Sequence, residues 1–372
     1  MDMILGQPRA TAFLQTQLAG DRMHHACIFH GPLGVGKCTT ALALARVLLC
    51  HARVTTLTGE IQACESCDSC RLLKNHDTDA NTWAHPDLHV IRKELASFSD
   101  DAQIRKRKQM SIPVEIVRQH LIEPAGLAAK LNHGKVFIVD EAELLNGASQ
   151  NVLLKTLEEP PAGTTIMLIT SSEERLLPTI RSRCQRVAFV PLSDEQVGRW
   201  LDQQEGSLEA ATRDWLIGFA DGSLGRAQLA LQQDLASWAQ VLLPMLEAMA
   251  KGQPDAAMGE QLAQRIKAFA ESWVKQYPNA SKEAANRLGA SLGFSILTTH
   301  ARQHLAQRGT QCSAGALIES QASLDPWLGV IDAVHQAEGL LGTHVNLSLV
   351  CDHLMVTVGR CLLAGAREGS LA

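Results

Sequence analysis

The stretch Gly31-Pro32-Leu33-Gly34-Val35-Gly36-Lys37-Cys38-Thr39 constrains this chain more than any other. An apolar run, Ala26-Cys27-Ile28-Phe29, leads into it, and a helical run from Thr40 to Leu49 follows. Glycines at this spacing let backbone N–H groups approach phosphate oxygens. The following helix offers its positive end, and Lys37 adds a charge near the β- and γ-phosphates. A strand, a glycine loop and a helix in that order predict an α/β fold with a nucleotide, ATP or ADP with Mg²⁺, held at Gly31, Gly34, Gly36, Lys37, Cys38 and Thr39. The residue after the lysine is expected to be Ser or Thr, whose hydroxyl binds the cation, and here it is Cys38. A thiol is a poor partner for a hard, oxygen-seeking ion, and Thr39 lies one helical step away, roughly 100° round the axis. Binding is therefore expected and efficient hydrolysis is not.

A second apolar run, Val136-Phe137-Ile138-Val139, ends in Asp140 and Glu141. A run without polar alternation reads as a parallel strand covered on both faces. In such sheets ligands bind at the carboxyl edge, so Asp140 can face a nucleotide-bound Mg²⁺ and Glu141 the attacking water if hydrolysis occurs. A helix from Ala148 to Glu158, stopped by Pro160-Pro161, leads to a third strand, Thr165 to Ile169, with Thr170 at its end. Ser111 to Leu121 reads as a helix beginning near Pro113, with Pro124-Ala125-Gly126 stopping the chain after it.

Two long words, Gln150-Asn151-Val152-Leu153-Leu154-Lys155-Thr156-Leu157-Glu158-Glu159-Pro160-Pro161 and Leu176-Leu177-Pro178-Thr179-Ile180-Arg181-Ser182-Arg183-Cys184, closely resemble the AAA+ subunits of the bacterial DNA polymerase III clamp loader. The words His24-His25-Ala26, His85-Pro86-Asp87-Leu88-His89-Val90 and Ile112-Pro113-Val114-Glu115-Ile116-Val117-Arg118 look more like the delta prime stator than the gamma/tau motor. The resemblance covers roughly residues 1–230. It implies that Arg183 is an arginine finger acting in trans on ATP in a neighbouring subunit, a role suited to a permanently charged, forked guanidinium. It also implies that Thr170 is a sensor of the γ-phosphate and Arg226 a second sensor. Capping of the following turn explains a bare strand-end Thr equally well, and capping by Ser223 with loosening at Gly222 and Gly225 explains the Arg226 motif nearly as well. Ile4-Leu5-Gly6-Gln7 and the helical pattern to Leu18 resemble the family's segment that packs near the adenine, and a plain amphipathic helix explains them equally well.

Ten cysteines in one chain do not read as a disulfide set. Cys64-x2-Cys67-x2-Cys70, with Cys50 at the end of the helix after the glycine loop, suits tetrahedral Zn²⁺ in a structural role. The resemblance implies the same module, at about residues 50–76. His51 or His76 stands as the alternative to Cys50. Cys27, Cys38, Cys184, Cys312, Cys351 and Cys361 read as core fillers.

Net charge is −5, which gives no electrostatic drive for strong independent DNA binding. The run Arg105-Lys106-Arg107-Lys108 reads first as a solvated loop, and second as DNA-facing. No run reaches the length of a membrane span and no secretory pattern opens the chain, so a cytoplasmic protein is expected. Three domains are expected: a nucleotide-binding core over 1–190, a helical lid over 191–236, and an all-helical collar over 237–372 in which no catalytic cluster is read. The resemblance implies partners: gamma/tau and delta subunits in a heteropentameric ring, the sliding clamp, and primer-template DNA through the assembled complex. The expected function is a stator with weak or absent ATPase activity of its own, and the alternative is an ATP-hydrolysing gamma/tau-type motor. A small-molecule kinase would need an acceptor pocket where this chain continues into helices.

Overall fold

The computed structural model describes residues 5–20, 23–74, 76–77, 82–98, 111–131, 133–204, 208–253, 257–276, 281–311, 325–341 and 346–369. The basic run Arg105 to Lys108, the His76 side chain and Cys312 lie outside the described residues. The chain divides into two compact units, residues 1–205 with 220–226, and residues 206–219 with 227–372. The predicted lid helices are thus shared between them.

The first unit is built on a five-stranded sheet. Its strands are β1 (Ala26–His30), β2 (Leu88–Ile91), β3 (Lys135–Val139), β4 (Thr164–Thr170) and β5 (Gln185–Ala188), in the spatial order β2-β3-β4-β1-β5. Every neighbouring pair is parallel. Side chains alternate between faces along a strand, so Ala26 and Ile28 share a row with Ile166 and Leu168, and with Phe137 and Val139 beyond. That row is buried against Ile116, Val117, Leu121, Leu153, Leu157 and Ile180 of the covering helices. Helix α2 (Lys37–Leu48) contacts β1, β3 and β4, and buries Ala41, Leu44 and Ala45. Parallel strands need such helical crossovers, which is why the run over 136–139 has no polar alternation.

α1 (Pro8–Ala19) opens the described chain, with proline at its start where a missing N–H costs nothing. α3 (Asp68–Lys74) lies in the cysteine segment, and α4 (Gly147–Glu158) is capped by Asn146, whose side chain accepts from Ser149 N at 2.8 Å. The helix beginning at Val114 departs from the sequence expectation. It passes through a π turn at Arg118–Ile122 and continues to Gly126, with Pro124 inside. The wider turn accommodates a ring that lacks an N–H and would crowd a regular helix.

α5 (Asp194–Asp202) carries a full capping box between Ser193 and Gln196. α6 (Ala210–Ala220) and α7 (Leu224–Gln232) follow. The second unit then runs through α8 (Leu235–Ala250), α9 (Met258–Gln276), α10 (Lys282–Gln311), α11 (Pro326–Leu341) and α12 (Leu347–Gly369). Its core holds Leu242, Leu246, Leu262, Ile266, Phe294, Leu297, Val330 and Leu354. None of the described helices is long and apolar enough to cross a membrane.

Candidate functional site

The carboxyl edge of the sheet gathers most of the residues singled out in the sequence. β1 ends in the glycine loop, where Gly34 (φ +75°) and Gly36 (φ +99°) take left-handed conformations that other residues rarely adopt. Space is open in front of Gly36, where a Cβ would meet no atom within 4 Å. Lys37 is buried, and its Nζ donates to Gly31 O at 2.6 Å and Pro32 O at 2.5 Å. Burial holds its ammonium below the ordinary lysine value, against the pull of Glu143, Asp140 and Cys38. Thr39 is exposed, whereas Thr40 donates to Gly36 O at 2.8 Å.

The loop is clasped from the side by the residues that open α7. Gly225 N donates to Gly34 O at 3.0 Å, and Ser223 Oγ accepts from Arg226 N at 3.1 Å. A Cβ at Gly225 would lie 2.9 Å from Gly34 Cα, closer than real side chains approach backbone. Gly225→Ala is therefore expected to destabilise the first unit by about 1–3 kcal/mol, read as a lower denaturant midpoint of the full chain. An unchanged midpoint would mean that the clasp contributes nothing. Gln7 holds the loop on the other side, with Nε2 donating to Val35 O at 3.2 Å and Val190 O at 2.7 Å.

The two acids are already occupied. Asp140 Oδ2 accepts from Arg92 Nε at 3.1 Å, and Arg92 Nη2 also reaches Cys38 Sγ at 3.5 Å. One guanidinium thus binds both the thiol in the hydroxyl's usual place and the carboxylate across from it. Burial raises the Cys38 thiol, with Asp140 adding and Arg92 opposing, so it is a neutral group here. Glu141, at φ +51°, pairs with Lys93 Nζ at 2.9 Å. The donor set does not fit a hydrated Mg²⁺, which needs oxygen ligands in near-octahedral array. Arg92 and Lys93 follow directly on β2, one place over in the sheet from β3. The sequence reading missed both, although a basic pair closing an apolar strand was there to be seen.

Thr170 is buried at the end of β4 and accepts from Ser172 N at 3.0 Å, the capping contact expected of such a residue. Glu143, also missed, accepts from Ser171 N at 3.2 Å and Ser171 Oγ at 2.5 Å. Burial pushes Glu143 up, but the hydrogen bonds from Ser171 and Thr170 carry it below the usual range. It therefore remains an anion that ties β3 to β4 beside Lys37.

Arg183 stands elsewhere. It precedes β5, whose first residue Gln185 pairs with Cys27 at the amino side of β1. At about 3.3 Å per residue the rise from Cys27 to Gly31 alone is roughly 13 Å, so Arg183 cannot serve its own glycine loop. Its guanidinium donates to Thr179 O at 2.8 Å and pairs with Glu158 at 2.5 Å.

The four cysteines of the expected metal module meet. The Sγ atoms of Cys50, Cys64, Cys67 and Cys70 all lie within 4.8 Å of one another, with Cys50 to Cys67 and Cys64 to Cys70 both at 4.0 Å. A tetrahedral ion with Zn–S bonds near 2.3 Å needs an S–S edge of about 3.8 Å, so the set fits Zn²⁺. Backbone N–H groups of Ser66 and Cys67 and the Ser66 hydroxyl hold the Cys64 thiol down at about 5. His51 instead stacks on His133 at 4.3 Å, so Cys50 is the fourth sulfur. Four thiolates would leave no open position, and the ion would crosslink the end of α2 to α3.

A family model described as the DNA polymerase III delta subunit matches residues 6–193, just over half of the chain. The chain belongs to that family. Among its relatives, the DNA polymerase III subunit delta′ of Bacillus subtilis is 33% identical over 201 residues, 54% of this chain and 53% of that protein. The delta′ subunit of Escherichia coli is 28% identical over 355 residues, covering 92% of this chain and 91% of its own. The tau subunit of Salmonella typhimurium is 31% identical over 238 residues, 63% of this chain and 33% of that protein. The chain therefore spans about half the length of the Bacillus relative and a third of the tau relative. The family match covers the whole sheet and stops just before α5.

Proposed function

We propose that this member of the delta-subunit family is a delta prime-like stator of the DNA polymerase III clamp loader. It takes a place in a cytoplasmic AAA+ ring of gamma/tau and delta subunits that loads the sliding clamp onto primed DNA. There it supplies Arg183 to ATP held by a neighbouring subunit and turns over little or no ATP itself. The observation that carries this reading is the double pairing of Arg92 with Asp140 and Lys93 with Glu141. In a hydrolysing site those carboxylates hold the cation and direct the attacking water. Here an internal guanidinium and an internal ammonium neutralise them. Nucleotide phosphates that reach the loop are met by backbone N–H groups and Lys37, with no divalent ion between Cys38 and Asp140.

The motor reading keeps one specific support: Lys37, Glu141, Glu143 and Thr170 stand at one sheet edge, as phosphate transfer requires. Nucleotide titration of the purified chain, with Mg²⁺ and with chelator, separates the two. The stator predicts affinity that is the same in both conditions to within about threefold, less than 1 kcal/mol, and hydrolysis at the background rate. Replacing both groups that exclude the cation, with Cys38→Ser and Arg92→Ser, is expected to make binding Mg²⁺-dependent. Brisk Mg²⁺-dependent turnover by the unmodified chain would overturn the stator reading.

A further inference from the structure

The helical unit contains a second constellation of ligand atoms, which sequence reading did not find. His300 and His304 are one turn apart on α10 and project from the same face. Glu247 reaches them from α8, which packs on α10. Both Nε2 atoms lie 2.7 Å from the same carboxylate oxygen, Glu247 Oε1, and 3.2 Å from each other. The side chains are 16% (His300), 29% (His304) and 34% (Glu247) exposed, so the cluster is half sunk and has an open side. Trp327 of α11 covers it, stacked on His304 at 4.2 Å and edge-on to His300 at 5.5 Å.

Protons satisfy this triangle in only one crowded arrangement. Both imidazoles can donate to Oε1, which has two lone pairs, but their N–H groups then converge on one atom with the nitrogens 3.2 Å apart. If one donates to the other, two lone pairs oppose each other across 2.7 Å. A cation at the centre removes the conflict, because all three lone pairs then point inward. Two imidazoles and one carboxylate are ligands that Zn²⁺ and its borderline neighbours accept, at about 2.0–2.2 Å each. Tetrahedral edges at those lengths are about 3.3–3.6 Å. The 3.2 Å edge is close to that length, and the two shorter edges need to open by roughly 0.6–0.9 Å.

We propose that Glu247, His300 and His304 form a divalent transition-metal site, with water in the remaining position, that staples α8 to α10 beneath Trp327. It is separate from the cysteine module in sequence and in ligand chemistry, and it does not depend on the stator reading.

The test uses the full chain with its cysteine module loaded with Zn²⁺, titrated with Co²⁺. One further equivalent is expected to bind and raise the melting temperature. Tryptophan emission should fall as a paramagnetic ion fills the site beside Trp327, and Trp327→Phe should remove that quenching while calorimetric binding persists. Glu247→Gln keeps an oxygen that accepts from both imidazoles but is a weaker ligand. It should leave the metal-free melting temperature in place and weaken Co²⁺ at least as much as the roughly 10–100-fold that outer-shell changes cost. A His300→Gln, His304→Gln double variant of unchanged helicity should lose the site. Absence of saturable Co²⁺ binding beyond the cysteine module, or equal binding by the parent and the Glu247→Gln chain, would refute the proposal.

Discussion

Rings reconstituted with Arg183→Ala are expected to lose turnover at the neighbouring ATP site by on the order of 10³-fold or more, the usual contribution of a trans guanidinium. Size exclusion of the same sample should show assembly unchanged, because Arg183 is half-exposed and the sheet does not rest on it. Arg183→Lys is expected to restore little: an ammonium cannot grip phosphate oxygens in a fork. In the isolated chain the guanidinium is held by Glu158 and Thr179, so it must leave both to reach a partner. Glu158→Gln weakens that hold and should leave turnover equal or slightly higher. If rings containing Arg183→Ala form normally and hydrolyse ATP at the parental rate, Arg183 has no role in trans.

Removing the ion from the cysteine module is expected to unfold that module while the sheet survives. Apparent metal affinities of small thiolate modules are about 10–16 kcal/mol near neutral pH, and much of that is folding energy. α3 has only seven residues, too few to persist alone. Chelation, or Cys67→Ser, should therefore abolish the thiolate-to-metal absorbance of the Co²⁺-substituted protein and expose Cys50, Cys64 and Cys70 to thiol reagents. Acid should act in the same direction, because the ligands bind as thiolates and protons compete with the metal. Equal thiol reactivity before and after chelation would show that no ion is held there.

What could be read in advance was local. The glycine loop, the unalternating strands over 136–139 and 165–169 and the Cys64 to Cys70 spacing each carry their signal within a dozen residues. Cys50, read as standing at the end of the helix after the loop, lies just beyond α2, and its sulfur meets the other three. What could not be read depends on which strands become neighbours. Arg92 faces Asp140 only because β2 lies beside β3, and Glu143 meets Ser171 only because β3 lies beside β4. The pair His300 and His304 was visible as a helical repeat, but Glu247 joins it from more than fifty positions away. Pro124 misled for the opposite reason: a sound local rule gave way to the π turn before it.

α2 starts at the glycine loop and ends two residues before Cys50, so one rigid rod joins that loop to the four-cysteine cluster. Over 12 residues it measures about 18 Å. Fixing its far end fixes the aim of the N–H groups at its near end. With zinc held by those cysteines, a cell short of it would hold a population of this protein whose glycine loop had lost one of its supports, although no residue of the loop had changed.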